Sequence, residues 1–201
     1  MKLVLTASVM LVVLASTVFG AGTFAYLSGE ETSTGDTFTV GADEPDLELS
    51  PCGSQPYLPF DVSDVNPGDS GVADVNLHNA GTVDGWLSMT IENCTNDENE
   101  RLEPESEAGD ITPDEGELGS KLYLEIWFDD DNDGEIGTGE QLIKEDYVDN
   151  LCEIKISIDA IMESGMTWTI GIKWSVASDV GNIIQSDRLS FDIAFTLSDE
   201  Q

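Results

Sequence analysis

The run Asp129-Asp130-Asp131-Asn132-Asp133-Gly134-Glu135-Ile136-Gly137-Thr138-Gly139-Glu140 sets oxygen donors at a spacing that suits a hard cation. It fits the twelve-residue pattern D-x-D-x-D-G-x₅-E position for position. Asp129, Asp131 and Asp133 would supply carboxylates at positions 1, 3 and 5. Gly134 permits the sharp turn at 6, Glu135 offers its backbone carbonyl at 7, and Glu140 brings a carboxylate at 12 that can bind through both oxygens. Ile136, at position 8, is apolar, as an inward-facing residue there should be. So many converging carboxylates favour Ca²⁺ over Mg²⁺, which gives up its water reluctantly. The strand-like KLYLEIWF runs straight into the loop, so this is a strand–loop site and not a helix–loop–helix. Its expected role is structural: an ion would neutralise a loop that otherwise repels itself, and could also cement one subunit to another. An acidic hairpin with no ion is the plain alternative, set against the joint placing of Gly at 6 and Glu at 12.

Other chemistry is thin. His78 is the single histidine, there is no H-E-x-x-H, and no G-x-S-x-G elbow accompanies it. Zinc hydrolysis needs nitrogen or sulfur ligands, and Ser-His-Asp chemistry would also rest on His78. The chain reads as non-enzymatic, with no catalytic residues and no small-molecule substrate. Cys52, Cys94 and Cys152 show no C-x-x-C spacing. An odd count fits one disulfide plus one free or intermolecular thiol. Cys94 and Cys152 are the favoured pair, with the other pairings left open. Asn93-Cys94-Thr95 is a glycosylation sequon that a disulfide at Cys94 could block.

The elements that must position these groups read as strands. Met166, Trp168, Ile170, Ile172, Trp174 and Val176 alternate with polar or small residues, as do Leu189, Phe191, Ile193, Phe195 and Leu197. Shorter alternations cover Leu122–Phe128, Ile154–Ile158 and Leu87–Ile91, and pairs at Val75 and Leu77 and at Leu47 and Leu49 mark two more. Period-two alternation means strands with one face on a core. Seven or so of them, separated by turns such as Asn66-Pro67-Gly68-Asp69 and Asn79-Ala80-Gly81, predict an all-β sandwich. Helical turns are expected near Gly116–Lys121 and Glu140–Tyr147. The acidic insert at 96–119 has two prolines and one basic residue, Arg101. Its charge density argues for a solvated loop, able to wrap the surface or to carry a second ion site.

The N-terminus reads as an export signal. Met1-Lys2 is a minimal positive region, Leu3 to Phe19 is apolar or small, and Thr23-Phe24-Ala25 offers small residues for a cut before Tyr26. A retained membrane anchor is the rival reading. The domain plan is a signal helix at 1–25, an arm at 26–41 and a sandwich at 42–201. Mature length is about 175 residues, one domain by size. With 41 acidic and 7 basic residues, the net charge is −34. Such a surface repels nucleic acid and anionic lipid and attracts cations. Either a salty habitat or structural use of Ca²⁺ accounts for it.

Two segments carry a family resemblance. GAGTFAYLSGEETSTGDTFTVG, Gly20 to Gly41, resembles the export-and-arm region of the TasA/camelysin family, whose members are processed by a dedicated signal peptidase of the SipW type. VNPGDSGVADVNLHNAGTVDGWLSMTIEN, Val65 to Asn93, resembles that family's strand pair behind a PGD turn, and Leu189–Leu197 fits its last strand. Asn96 to Ile161 looks more like archaeal relatives. The resemblance implies a jelly-roll sandwich, secreted to the cell surface, that polymerises head-to-tail with copies of itself into extracellular filaments. Bacterial members scaffold biofilm matrix; archaeal relatives form pili-like bundles or tubes. In such filaments each N-terminal arm is a donor strand for its neighbour's sheet. Thr37-Phe38-Thr39-Val40 has the β-propensity for that task and sets Phe38 and Val40 on one face. The open edge expected to receive it belongs to the sheets of Met166–Val176 and Leu189–Leu197. Two other functions compete: a monomeric, calcium-binding surface protein, and a secreted metallopeptidase.

Overall fold

Alternation of apolar and polar residues decides this fold, because each strand buries one face only. The computed structural model describes residues 45–50, 57–99, 102–112 and 114–199. Among them are nine strands: β1 (Leu47–Ser50), β2 (Tyr57–Ser63), β3 (Ser70–Asn79), β4 (Gly85–Asp97), β5 (Leu122–Phe128), β6 (Leu142–Tyr147), β7 (Lys155–Met162), β8 (Thr167–Val176) and β9 (Arg188–Ser198). Two short helices, α1 (Glu103–Ala108) and α2 (Val148–Leu151), complete the regular structure. One sheet runs β1-β3-β8-β5-β6 and the other β2-β9-β4-β7. All pairings between these strands are antiparallel. Without β1, the two orders 3-8-5-6 and 2-9-4-7 are those of a jelly roll, two Greek keys wrapped into facing sheets. The protein is thus the all-β, jelly-roll-like sandwich that the alternation and the resemblance predict.

The core lies between the sheets. Ile170, Ile172 and Val176 of β8, Leu122, Leu124 and Ile126 of β5, and Val75 and Leu77 of β3 face Leu87, Met89 and Ile91 of β4 and Leu189, Phe191, Ile193 and Phe195 of β9. Phe60 of β2 stacks on Phe191 with ring centroids 5.0 Å apart. Cys94 and Cys152 form a disulfide that ties β4 to the end of α2, across a sequence separation of 58. No helix of the described residues is long and apolar enough to cross a membrane.

Three expectations change. The count of seven strands omits β2 and β6, both sheet edges. β6 (LIKEDY) shows no period of two because Leu142 and Ile143 are adjacent and three charged residues follow; Glu140–Tyr147 is strand from Leu142 onward, with the helical turn displaced to α2. Ile154 lies outside β7: its amide bonds to Leu151 O at 3.2 Å, closing the turn after α2, and its side chain is exposed. The insert at 96–119 is not a solvated loop. Its first residues extend β4, α1 packs on the turn at Gly181–Ile184, and Glu98, Glu105 and Asp110 are buried. A turn of 3-10 helix at Leu118–Ser120 matches the expected Gly116–Lys121 turn.

Candidate metal centre

The acidic loop leaves β5 on the face turned away from the core. Leu122, Leu124 and Ile126 point inward, so Trp127 and Asp129 point outward by alternation. Trp127 lies over Gly171 of β8: a Cβ on that glycine would stand 2.3 Å from the indole Cζ2. It is fully buried, yet no member of the main core cluster. The loop then doubles back over this outer face. The Thr169 hydroxyl of β8 lies 2.7 Å from Asn132 Oδ1 and 2.8 Å from Asn76 Oδ1 of β3, and the Asp129 amide donates to Thr169 O at 3.0 Å.

Local geometry fits the sequence. Asn132 and Gly134 take left-handed φ values of 58° and 73°, the conformation that Asn tolerates and Gly adopts freely. The Gly134 amide donates to Asp129 Oδ2 at 3.1 Å. Glu140 closes the loop: Oε1 accepts from the Asp130 amide at 2.9 Å and Oε2 from the Gly137 amide at 2.6 Å.

Asp129, Asp131 and Glu140 come together, each with one carboxylate oxygen within 4.8 Å of the others. Ca²⁺ binds oxygen at about 2.3–2.6 Å, so oxygens on opposite sides of one ion stand roughly 4.6–5.2 Å apart. Asp129 is only 1% exposed and its Oδ1 has no hydrogen-bond partner. A buried carboxylate oxygen with nothing to accept from is costly unless a cation takes the place of a donor. Loss of water, then the charges of Asp133, Glu140 and Asp129, raises the Asp131 carboxyl above its ordinary range. Asp74, on the outer face of β3, is raised by burial and then by Asp129.

Of the predicted carboxylate ligands, Asp133 stands apart from this group, and the role expected of Glu135 rests on its backbone carbonyl. Asp133 Oδ1 accepts the Glu135 amide at 2.8 Å, an Asx turn that shapes the loop locally. Glu135 is exposed and its side chain is no part of the cluster. Thr169, which seats the loop, and Asn76 beside it were invisible to sequence spacing, because the β3–β8 register pairs them and Thr169 alone reaches Asn132. The donor strand Thr37, Phe38, Thr39 and Val40, the signal at 1–25 and Cys52 lie outside the described residues.

A family model described as camelysin metallo-endopeptidase matches residues 1–196. No curated protein sequence matches the chain significantly. The family's description implies a metal that cuts peptide bonds, which for zinc calls for nitrogen or sulfur ligands around an open position. The donor sets present do not fit that group. Every cluster of metal-ligating side chains among the described residues is made of carboxylates alone. His78 belongs to none of these clusters; its Nδ1 lies 2.9 Å from Thr167 Oγ1 and 3.2 Å from Met166 O. Cys94 and Cys152 are consumed by their disulfide. The acidic centre suits a hard cation held in place, on a jelly-roll frame. With the match running over almost its whole length, the chain belongs to the TasA/camelysin family, whose motifs it carries.

Proposed function

We propose that this protein is an exported structural subunit that polymerises head-to-tail into extracellular filaments. The arm at 26–41 enters a neighbour's sheet as a donor strand, and Ca²⁺ at Asp129, Asp131 and Glu140 orders the outer face. The observation that carries this reading is an edge split between two short strands. β1 pairs only with Asn76–Asn79 of β3, so among the described residues Ser70–Val75 has a strand partner on one side only. β2 covers β9 from Arg188 to Ala194, and Phe195–Ser198 is likewise paired only with β4. Unpaired strand edges bind extended peptides through main-chain hydrogen bonds, with alternate side chains filling pockets.

This refines the expected acceptor. β8 is interior, between β3 and β5, and β9 is interior except at its end. The slot along Ser70–Val75 is long enough for Thr37–Val40, and burying Phe38 and Val40 there would contribute about 1.5–3 kcal/mol each. Because the arm and the slot are different surfaces, the contact is head-to-tail, and a head-to-tail contact whose rotation does not close propagates as a filament.

Negative-stain microscopy of the mature protein in Ca²⁺ tests the idea. Filaments should form, vanish on deletion of 26–41, and yield a crosslinked ladder when Thr39→Cys and Asp74→Cys are combined. Fibres from the arm-deleted chain would sink the donor-strand reading. The Ca²⁺ component stands separately: calorimetry on an Asp131→Ala, Asp133→Ala double variant should show lost uptake at the loop. The family's description keeps a peptidase as the second reading. Casein cleavage that disappears with His78→Ala would establish it.

A further inference from the structure

The acidic segment that follows β4 gathers a second set of carboxylates, on residues far from the Asp129–Glu140 loop in sequence. Glu98 lies just past the end of β4, Glu105 on α1, Asp110 just after α1, Glu117 before β5, and Asp187 immediately before β9. Oxygens of Glu98, Glu105 and Asp187 lie within 4.8 Å of one another, and so do oxygens of Glu98, Asp110 and Glu117. Glu98 belongs to both sets and is their centre.

This is no solvated acidic face. Glu98 is 3% exposed, Glu105 0% and Asp187 1%. Both oxygens of Glu98, Oε2 of Glu117 and Oδ1 of Asp187 have no hydrogen-bond partner. The remaining oxygens are held by groups that aim the carboxylates together. The Glu117 and Leu118 amides donate to Asp187 Oδ2 at 2.7 and 2.9 Å. The Leu102 amide donates to Glu105 Oε2. The Thr112 amide lies 2.7 Å from Asp110 Oδ1. Its hydroxyl lies 2.7 Å from that same oxygen and 2.6 Å from Glu117 Oε1, and has one proton for the two. No described lysine or arginine pairs with Glu98, Glu105, Glu117 or Asp187.

Buried like charges without a counter-ion are strongly unfavourable; they are found paired or on metals. Without a cation the strain surfaces as protonation. Burial, then the charges of Asp187, Glu105, Asp110 and Glu117, pushes Glu98 up to about 7. Burial, opposed by the two backbone amides, pushes Asp187 up to about 6. Two carboxylate triads joined through Glu98 offer oxygen ligands alone, which suits the high-coordination shell of Ca²⁺ better than that of Mg²⁺. We propose that Glu98, Glu105, Asp110, Glu117 and Asp187 form a second divalent-cation site, of the Ca²⁺ type, which fastens the acidic segment to the start of β9. The site is independent of the loop and of filament assembly.

Calorimetric Ca²⁺ titration of the chelator-treated mature protein tests it, in the Asp131→Ala, Asp133→Ala background where the loop is silenced. That protein should still take up a single Ca²⁺, and adding Glu98→Gln and Asp187→Asn should abolish the uptake. A folding control comes from the sign of a second readout. In chelator, Glu98→Gln removes repulsion and should raise the melting temperature; in Ca²⁺ it should melt below the parent. Mg²⁺ at the same concentration should give the weaker response. Arg101 is the basic residue nearest Glu98 in the sequence, and Arg101→Gln should leave Ca²⁺ uptake intact. Uptake that survives the Glu98/Asp187 change overturns the site. So does a chelated Arg101→Gln protein that loses hydrogen-exchange protection over 102–118 and does not regain it with Ca²⁺, since the counter-charge would then be the arginine.

Discussion

Replacing both Cys94 and Cys152 by alanine should cost about 4 kcal/mol of stability. The bond closes a loop across a sequence separation of 58. In the chain-entropy account, a 15-residue loop is worth about 3 kcal/mol and a 100-residue loop about 4.7, which puts this one between them. Little on the folded side should compensate. Cys94 sits where the β4–β9 register shifts between Glu92 and Thr95, with Asn93 at a φ of 55°, so the ladder is already interrupted there. What remains is the Glu153 amide donating to Ile91 O at 2.6 Å and the buried Val148 and Leu151 of α2. Urea unfolding of the mature protein, with Cys52 unchanged, measures the loss. The midpoint should fall sharply, and the slope should rise as the denatured chain, freed of its crosslink, exposes more surface. A loss under about 1 kcal/mol would mean that the denatured chain holds these segments together without the bond, and would refute the entropic reasoning.

Gly171→Ala should lower the melting temperature by roughly 2–12 °C, since its methyl would stand 2.3 Å from an indole that is fully buried, an overpacking cost of about 1–3 kcal/mol. Asn79→Ala should cost about 1–3 kcal/mol in urea unfolding. That buried side chain donates to Val83 O at 2.9 Å and Met162 O at 3.1 Å and accepts from Gly81 N at 3.0 Å. Arg188 grips Asp61 through Nε at 2.9 Å and Nη2 at 2.6 Å and holds its carboxyl below the ordinary range. A folded value below the unfolded one, about 3.9, makes the pair stabilising above that pH, with the benefit lost as pH falls through the folded value. Both side chains are substantially exposed, so Arg188→Gln should cost only about 0.2–1 kcal/mol at pH 7 and nothing in strong acid, by thermal melts across pH.

The legible parts of this fold were those whose signal is local. β5, β8 and β9 announce themselves because both neighbours and the core constrain alternate residues. β2 hides its alternation of Leu58, Phe60 and Val62 behind Pro59, a residue that argues against a strand, and β6 (LIKEDY) sets Leu142 and Ile143 side by side ahead of three charged residues, so it shows no period of two. The loop from Asp129 to Glu140 was readable because its donors sit within one turn of chain, although Asp133 spends an oxygen on the Glu135 amide. Glu98 and Asp187 could not be connected by reading. They are 89 positions apart by their numbering and meet only because β4 and β9 pair antiparallel, Asp97 opposite Arg188. Charge density pointed to solvent for the segment between them. The folded chain instead buries Glu98, Glu105 and Asp110 while leaving Glu103, Glu107, Asp114 and Glu115 exposed, a division that charge density alone does not display.

Trp127 gives the protein an optical voice. Its indole is wholly shielded from water, its Nε1 has no hydrogen-bond partner, and two residues along the chain is Asp129. An indole in so dry a place should emit at short wavelength, as should Trp174 in the main core, while Trp86 and Trp168 are only partly covered and should emit further to the red. The emission lost in a Trp127→Phe variant should therefore report whether that ring stays dry.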